Sequence, residues 1–277
     1  MRGVPVGRWR SLLVGTACLL GAAAPAGAQS GQASDRAVDP SQPDFTIVGL
    51  PTTLRIPRFG SSFRVTHRFT RPLGQGTFSN LAADLFGLDA GAQIGLEYRF
   101  GIFAGTQIGV HRTSDRTIQM FAQQQILRQG DQLPVTVDAL VAVEGTNNFR
   151  SQYSPALGAV VSRTLGRHGA LYLHPLWVGN TNFLDSADAQ DDSTFVLGAG
   201  ARLRVRPTVY LVGEVAPRAG YDPGVLHATV GIERRAGGHS FQLNFSNGFG
   251  TTLAQMARGG INDQDWYIGF NISRKFF

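Results

Sequence analysis

The last twelve residues of the chain read WYIGFNISRKFF and alternate between two kinds of side chain. Trp266, Ile268, Phe270 and Ile272 share one parity, and the residues between them are mostly small or polar. A period of two residues indicates a β-strand with one apolar and one polar face. About ten residues are enough for a tilted strand to cross a bilayer. The aromatic ending is also typical of the closing strand of a bacterial outer-membrane barrel, although Phe277 lies one residue out of register.

The same alternation recurs along most of the chain. We therefore predict an all-β fold, a transmembrane antiparallel up-and-down β-barrel of about twelve strands, with ten or fourteen as the alternatives. The predicted strands are 61–71, 92–100, 103–112, 117–128, 134–144, 152–163, 170–178, 194–205, 208–216, 225–234, 239–247 and 266–277. The seventh differs from the others because it is apolar on both parities.

Alternation alone does not separate a membrane barrel from a soluble sandwich, because only the direction of each face differs. A membrane barrel turns its apolar face to lipid and its polar face to the lumen. The predicted connections alternate between long and short, as in outer-membrane barrels, where short turns lie at the periplasmic end. The connection at 113–116 is an exception, being short where a long one is expected. The connections therefore favour a membrane barrel.

The first 28 residues predict a secretory signal peptide. Arg2, Arg8 and Arg10 precede a short apolar run, and Ala26-Gly27-Ala28 forms a small-residue cleavage site. The single cysteine, Cys18, lies within this leader. We therefore expect an exported mature chain without disulfides, thiol nucleophiles or cysteine-based metal sites.

The remaining chain carries little net charge. The formal charge of +6 includes the three arginines of the leader, which leaves 6 − 3 = +3. Without a block of basic residues, this value predicts no binding to nucleic acid. Residues 29–57 are predicted to form a periplasmic lead-in, in which 45–57 is either a short hairpin or a segment tucked into the barrel mouth as a plug. The barrel is predicted to occupy 58–277.

Several segments have a distinctive sequence, namely FRVTHRF (63–69), NLAADLFGLDAGAQIGLEYRF (80–100), MFAQQQILRQ (120–129), GGHSFQLNFSNGFGTT (237–252) and WYIGFNISRKF (266–276). Together they resemble an uncharacterised bacterial outer-membrane β-barrel family, known as a domain of unknown function. The resemblance covers residues 45–276 and implies a barrel fold and a location in the outer membrane. It implies no activity and provides no catalytic residues.

Serine and histidine near the C-terminus invite comparison with outer-membrane phospholipases. However, His239 shares its parity with the lipid-facing Phe241, whereas Ser240 and Ser246 have the opposite parity. A nucleophile and its base must lie within hydrogen-bonding distance, so we predict no catalytic residues and no enzyme.

We also predict no metal site and no cofactor. Histidines 67, 111, 174 and 227 come from separate strands, and His67 has lipid-side parity. The aspartate-rich loop that contains Asp185, Asp188, Asp191 and Asp192 lacks the glycine and final glutamate of an EF-hand loop. We expect it to be a solvated outer loop.

The charges on the polar parity define the expected lumen. Five arginines balance five acids on this parity and so predict no net charge selectivity. The residues either form ion pairs across a narrow interior or line a pore for small solutes. The predicted pore-lining residues are Arg64, Arg68, Glu97, Arg99, Asp138, Glu144, Arg202, Arg204, Glu214 and Glu233. Inward glycines leave space for water, or for a segment such as 80–87 folded inward as a plug.

The leading functional hypothesis is a passive channel or small-solute transporter. The alternatives are a structural or partner-anchoring barrel with an occluded lumen and, third, an outer-membrane hydrolase. The expected partners are outer-membrane lipid, a small solute, and the barrel assembly machinery, which would recognise the C-terminal strand 266–277.

Overall fold

The computed structural model describes residues 38–87, 91–130, 132–182, 192–221, 225–262 and 264–277. The predicted signal peptide therefore lies outside the described residues. Thirteen strands occur in this part of the chain. They are β1 (Ser61–Phe69), β2 (Ala92–Phe103), β3 (Thr106–Thr113), β4 (Ile118–Leu127), β5 (Thr136–Gly145), β6 (Ser151–Thr164), β7 (Gly169–Gly179), β8 (Ser193–Arg206), β9 (Val209–Ala216), β10 (Arg218–Gly220), β11 (His227–Ala236), β12 (His239–Ser246) and β13 (Tyr267–Phe276).

Twelve of these strands close into one antiparallel barrel. Strands β1 to β9 pair in chain order, β9 pairs with β11, and β13 pairs with β1 to complete the ring. The short β10 continues β9 after Pro217 and pairs with β8. Full closure leaves the barrel without the long unpaired edge that would otherwise invite association. The predicted fold class is confirmed, with β10 as an additional short strand.

The two faces of the wall have the predicted directions. Val137, Leu197 and Leu243 lie on the outer face, and the last two are 43% and 44% exposed. Arg64 and Arg202 point toward the axis and are only 4% and 1% exposed. Charged side chains inside and aliphatic side chains outside are the arrangement that hydrocarbon around the wall favours.

The connections divide the barrel into two ends. Strand β1 begins and β13 ends at the turn end, where residues 104–105, 165–168, 207–208 and 237–238 make short turns. The opposite, loop end carries the longer connections, including 70–91 and 247–266. The predicted short connection after β3 is observed at 114–117, held by a hydrogen bond from the Thr113 N–H to the Thr117 carbonyl (2.9 Å).

Helices are short and belong to the loop end. They are α1 (Phe78–Ala83), a 3₁₀ turn (Leu85–Gly87), α2 (Thr146–Phe149) and α3 (Leu253–Ala257). Within the described ranges, no helix has the length and apolar character needed to cross a bilayer.

The suggestion that 80–87 plugs the lumen is wrong. Leu85 and Phe86 are exposed, and Gly87 packs against Phe69, which has outward parity on β1. The Arg71–Asp84 ion pair (2.7 Å) fixes the segment in this outer position. The lumen is filled instead by residues 38–57, hereafter the hairpin plug, and by α3.

Candidate functional site

The hairpin plug is a tight backbone hairpin inside the barrel. Thr46 and Pro51 form an isolated β-bridge, the Ile47 N–H donates to the Leu50 carbonyl (2.8 Å), and the Thr52 N–H donates to the Phe45 carbonyl (2.8 Å). The side chains of Ile47 and Leu50 are 0% and 1% exposed. The plug therefore places a hydrogen-bonded turn, with its apolar side chains, at the centre of the lumen.

The tip of the plug binds one carboxylate of the wall. The backbone N–H groups of Val48, Gly49 and Leu50 donate to the Glu214 carboxylate on β9, at 3.0, 2.8 and 3.0 Å. Three converging amides would be costly to bury without an acceptor, and a charged acceptor makes strong hydrogen bonds. Glu214 is thus the anchor of the tip.

The carbonyl groups of the plug are satisfied by side chains from the opposite wall. Gln242 donates to the Ile47 carbonyl (2.7 Å), and Asn271 donates to the Val48 carbonyl (2.9 Å). Arg64 donates to the same Val48 oxygen (3.0 Å). These donors lie on β12, β13 and β1, so three neighbouring strands hold the plug through its backbone.

A further contact fixes the arm of the plug that precedes the tip. The Asp44 carboxylate lies 3.3 Å from Lys275 Nζ and accepts a hydrogen bond from Ser273 (2.5 Å) and one from the Phe45 N–H (2.8 Å). Burial by itself would raise the pKa of Asp44, but Lys275, these hydrogen bonds and Arg202 together hold it below its ordinary value. Asp44 therefore stays ionised inside the barrel.

The arm that follows the tip contacts the other side of the wall. His174 Nε2 lies 2.6 Å from the Pro51 carbonyl, and Gln123 donates to the Thr52 carbonyl (2.8 Å). The hydroxyl oxygens of Thr53 and Ser162 are 2.5 Å apart. Both arms are therefore bonded to the barrel wall.

The side chains of the plug meet an aliphatic region of the lumen, hereafter the apolar wall. Gly198 and Gly200 on β8 lie opposite Leu50 and Ile47, and a β-carbon at Gly200 would be 2.4 Å from Ile47 Cδ1. The glycines provide the room that these side chains occupy. The apolar wall comprises Leu140, Ala156, Val160, Leu176, Val178, Val196 and Val212 on β5 to β9.

A second element enters from the loop end. Helix α3 begins with a capping box between Thr252 and Gln255, and the Leu253 N–H donates to Gln119 on β4 (2.7 Å). Glu144 accepts from the Thr252 hydroxyl and pairs with Arg258 (3.1 Å). The helix is therefore fixed to the inner wall by both of its ends.

The hairpin plug and α3 touch each other near the axis. A β-carbon at Gly49 would lie 2.7 Å from Met256 Sδ, so this position has no room for a larger residue. Leu253, Ala254, Met256 and Ala257 join Ile47, Val48 and Leu50 in one buried cluster. The lumen is thus occupied from both ends, and the two elements meet in the middle.

Small spaces remain beside these elements. A cavity of about 200 Å³ at the turn end is lined by polar groups of the plug and wall, including Gln42, Arg55, Gln125 and Gln129. A second cavity of about 20 Å³ lies between the plug tip and α3. These spaces are on the scale of bound water and small solutes.

The structure places the ten predicted pore-lining residues on the inner parity. Nine of them are buried, and Arg204 is half-buried at the turn end, where it donates to the Pro207 carbonyl (2.8 Å). Ion pairs connect several of them: Arg64 with Glu97 (2.5 Å), Arg99 with Glu97, and Arg202 with Glu233 (2.9 Å). The Arg99–Glu97 pair lies within β2, and the other two pairs join neighbouring or nearby strands. None of the three bridges an open channel, because the plug lies between the walls.

The serine and histidine residues considered for catalysis lie on different faces. The His239 ring stacks with Phe241 on the outer face (ring centroids 5.9 Å apart), whereas Ser240 is buried inside near Lys275 Nζ (3.3 Å). Ser246 is also inside and accepts from Thr229 (3.1 Å). This arrangement does not bring a nucleophile and a base together.

The predicted histidine positions are also separate. His67 stacks on Phe270 on the outer face (4.8 Å), while His111, His174 and His227 are buried inside on three different strands. No cluster of metal-ligating side chains occurs among the residues that the structure describes. In the aspartate-rich loop, Asp185, Asp188 and Asp191 lie outside the described residues, and Asp192 is exposed.

Sequence reasoning missed the apolar wall and α3. The one available signal was the seventh predicted strand, now β7, whose inward residues Leu176 and Val178 are as apolar as its outward ones. Apolar side chains on the lumen face of a strand need another apolar surface to cover them. The side chains of Ile47 and Leu50 supply that surface.

Comparison with the NanC porin supports the fold. The NanC porin structure aligns with a TM-score of 0.53 at 8% identity, covering 78% of this chain and 99% of that chain. The COG4313 outer membrane channel from Pseudomonas putida F1 has a TM-score of 0.48 at 11% identity, and the alignment covers 80% of this chain and 97% of that chain. Outer membrane phospholipase A from Escherichia coli has a TM-score of 0.45 at 12% identity, and the alignment covers 86% of this chain and 98% of that chain.

At 8% identity, the NanC alignment shows the fold alone. Among curated protein sequences, none matches this chain. A family model described as a membrane bound beta barrel domain, DUF5777, matches residues 44–276. That span includes the hairpin plug from Asp44 onward and all of the barrel strands. The chain therefore belongs to this family of membrane-bound β-barrels, whose function is unknown.

Proposed function

We propose that this protein is an outer-membrane channel for small solutes, closed in the described conformation by the hairpin plug and α3. The way in which the plug is held supports this function. The wall binds backbone groups of the plug, and one wall carboxylate, Glu214, accepts hydrogen bonds from the tip. The wall groups that hydrogen-bond the tip of the plug are charged or amide side chains, which water can solvate once the plug moves. Displacement would therefore leave a hydrated, charge-lined path.

The connections support one orientation of the barrel in the membrane. In outer-membrane barrels short turns face the periplasm and longer loops face outward. We place the turn end, through which the hairpin plug enters, on the periplasmic side, reached by signal-peptide export. Barrel assembly machinery acting on the C-terminal strand would insert it there. We propose no catalytic activity, because the candidate serine and histidine side chains occupy opposite faces.

The alternative is a structural barrel whose interior never opens. One observation favours it: Ile47, Leu50, Leu253 and Met256 form a well-packed apolar cluster in the lumen. The experiment must therefore separate a plugged channel from a permanently filled barrel. A variant that lacks residues 38–57 serves this purpose, because its barrel strands are untouched.

Single-channel conductance in planar bilayers is the measurement. We expect the wild-type chain to give rare, brief openings and the variant without 38–57 to conduct persistently. The Glu214→Gln variant keeps the whole plug and should open more often than the wild type. Circular dichroism and heat-dependent electrophoretic mobility establish that each variant is a folded barrel. If the folded deletion variant and Glu214→Gln both stay silent, the channel is rejected in favour of the occluded barrel.

A further inference from the structure

Charge is distributed unequally between the two ends of the barrel. Seven exposed arginines lie at or beside the turn end: Arg58, Arg128, Arg163, Arg167, Arg206, Arg234 and Arg274. Asp39 is the one exposed acid at this end in the described parts of the chain, and Asp131 belongs to the same end by sequence but lies outside them. The loop end mixes exposed Arg112, Arg116 and Arg150 with Asp84, Asp115, Asp192 and Asp265.

Three of these arginines are part of the lipid-facing surface. Arg163, Arg234 and Arg274 have outward parity on β6, β11 and β13. The residues just before them, Ser162, Glu233 and Ser273, point inward and are buried. Each follows an outward aliphatic residue two positions earlier, about 7 Å away along its strand. The guanidinium groups therefore lie where the apolar band ends, at headgroup level.

Among the described residues, no acid neutralises these three side chains. Arg163, Arg234 and Arg274 form no ion pair with any carboxylate that the structure describes, in contrast to the paired arginines of the lumen. Arg274 lies over the Phe276 ring (5.2 Å to the centroid), which holds its charge at the edge of the band. Long basic side chains at such a boundary extend along apolar surface and place their charge among the headgroups.

We propose that these turn-end arginines form a binding surface for anionic phospholipid headgroups of the adjacent leaflet. Planar guanidinium groups bind phosphate oxygens through paired hydrogen bonds, and each basic group near an anionic surface adds to the attraction. The surface continues the apolar band of the same strands, so one lipid can place its phosphate on an arginine and its acyl chains on the wall. This inference needs only a membrane-bound barrel and does not depend on channel activity.

A tryptophan reporter can test the surface directly. Phe241 on β12 is outward-facing and pairs with Arg234 on one side and with Ile272, two residues before Arg274, on the other. A Phe241→Trp variant in a Trp177→Phe, Trp266→Phe background therefore reports on lipids beside both arginines. The matched control keeps Trp177 alone, which is outward-facing near the loop end of β7.

The full-length mature chain is reconstituted in vesicles of phosphatidylcholine that contain either brominated phosphatidylglycerol or brominated phosphatidylcholine at equal mole fraction. Both leaflets have the same composition, so the orientation of the protein does not affect the comparison. We expect the relative lipid association constant at position 241 to favour the anionic lipid by about fivefold. At Trp177 we expect no preference.

Arg234→Gln together with Arg274→Gln should abolish the preference at position 241, and high salt should weaken it in the parent protein. Both arginines are exposed and unpaired with described acids, so these changes leave the barrel interior intact. Equal quenching by the two lipids at position 241 overturns the proposal. So does a preference that survives the double substitution, because the selectivity would then come from another feature.

Discussion

Across the lumen, two walls hold the hairpin plug by different means. Strands β12, β13 and β1 present Gln242, Asn271 and Arg64, which donate hydrogen bonds to backbone carbonyls of the plug. The apolar wall on β5 to β9 packs against the side chains of Ile47 and Leu50, and the same strands also contact plug carbonyls through Arg202 and His174. The first wall thus contacts the plug backbone, whereas the second also covers the apolar side chains of the plug.

The difference determines what each wall contributes to closure. An internal hydrogen bond contributes about 1 kcal/mol net, because water replaces it when the plug leaves. Burial of an aliphatic side chain contributes about 1.5–3 kcal/mol, and this is lost entirely when the apolar wall becomes wet. The apolar wall should therefore favour the closed state, while the polar wall sets the register of the plug. Glu214 is an exception among the polar groups, because its one carboxylate accepts hydrogen bonds from three amides and should therefore also favour the closed state.

The largest effect is expected from Glu214→Gln. The substitution removes the charge and leaves fewer acceptor sites for the Val48, Gly49 and Leu50 amides, at a cost of about 3 kcal/mol. Hydrogen exchange at these three amides should accelerate about a hundredfold.

Glu144→Gln is the matched control, because Glu144 binds Thr252 and Arg258 beside α3 and does not contact the plug tip. It should leave exchange at residues 48–50 close to that of the wild type. Equal acceleration in the two variants would show that the lumen loosens as a whole and that Glu214 has no special role.

A smaller effect is expected at the apolar wall from Gly200→Ala. The added methyl group would overlap Ile47 Cδ1, and overpacking of this kind costs about 1–3 kcal/mol. Ile47→Val removes the overlapping atom, so the double variant should recover most of the loss. A double-mutant cycle based on hydrogen exchange at the Ile47 amide measures the coupling.

Gly213→Ala provides the control on the neighbouring strand. Gly213 has outward parity, and a β-carbon there would have its nearest neighbour at 3.7 Å. We expect no change in the exchange of the plug. If Ile47→Val fails to rescue Gly200→Ala, the proposed contact between this glycine and the plug is incorrect.

The smallest effect is expected from pH, through Asp44. The folded-state pKa of Asp44 lies below the ordinary value of 3.8. Its contribution to the stability of the docked plug is therefore fully present above pH 3.8 and is lost as the pH falls through the folded-state pKa. The plug should therefore keep its protection at neutral pH and lose some of it in strong acid. Asp44→Asn should weaken the plug at neutral pH and flatten this acid dependence. An unchanged acid profile in Asp44→Asn would assign the dependence to another group.

The barrel was predictable from sequence because lipid outside and charge inside impose a two-residue alternation on most of its strands. The segment 194–205, for example, was predicted as a strand and observed as Ser193–Arg206. The hairpin plug was predictable only as one of two alternatives, because 45–57 shows no strand-length alternation. Its position depends on bonds to residues more than 150 positions away, such as Glu214.

Helix α3 shows why the rest was not predictable. Residues 252–255 contain the capping box of a helix, but nothing local indicates that the helix points inward. That direction depends on Glu144 and Gln119, which come from β5 and β4. The sequence therefore specified the wall, while the contents of the lumen depended on the closed barrel.

The most direct test of the central claim is to lock the hairpin plug in place. The hydroxyl oxygens of Thr53 and Ser162 are 2.5 Å apart, so Thr53→Cys and Ser162→Cys should place two sulfur atoms close enough to test for a disulfide. Cys18 is the one cysteine in the sequence, so a preparation that lacks residues 1–28 contains no competing thiol. The single variant Thr53→Cys controls for the substitution itself.

Conductance is recorded for the same double variant before and after reduction. We expect the oxidised protein to be silent and the reduced protein to open like the single variant. Equal conductance in the oxidised and reduced states, with the disulfide established by mass spectrometry, would contradict the claim that the plug must move for solutes to pass.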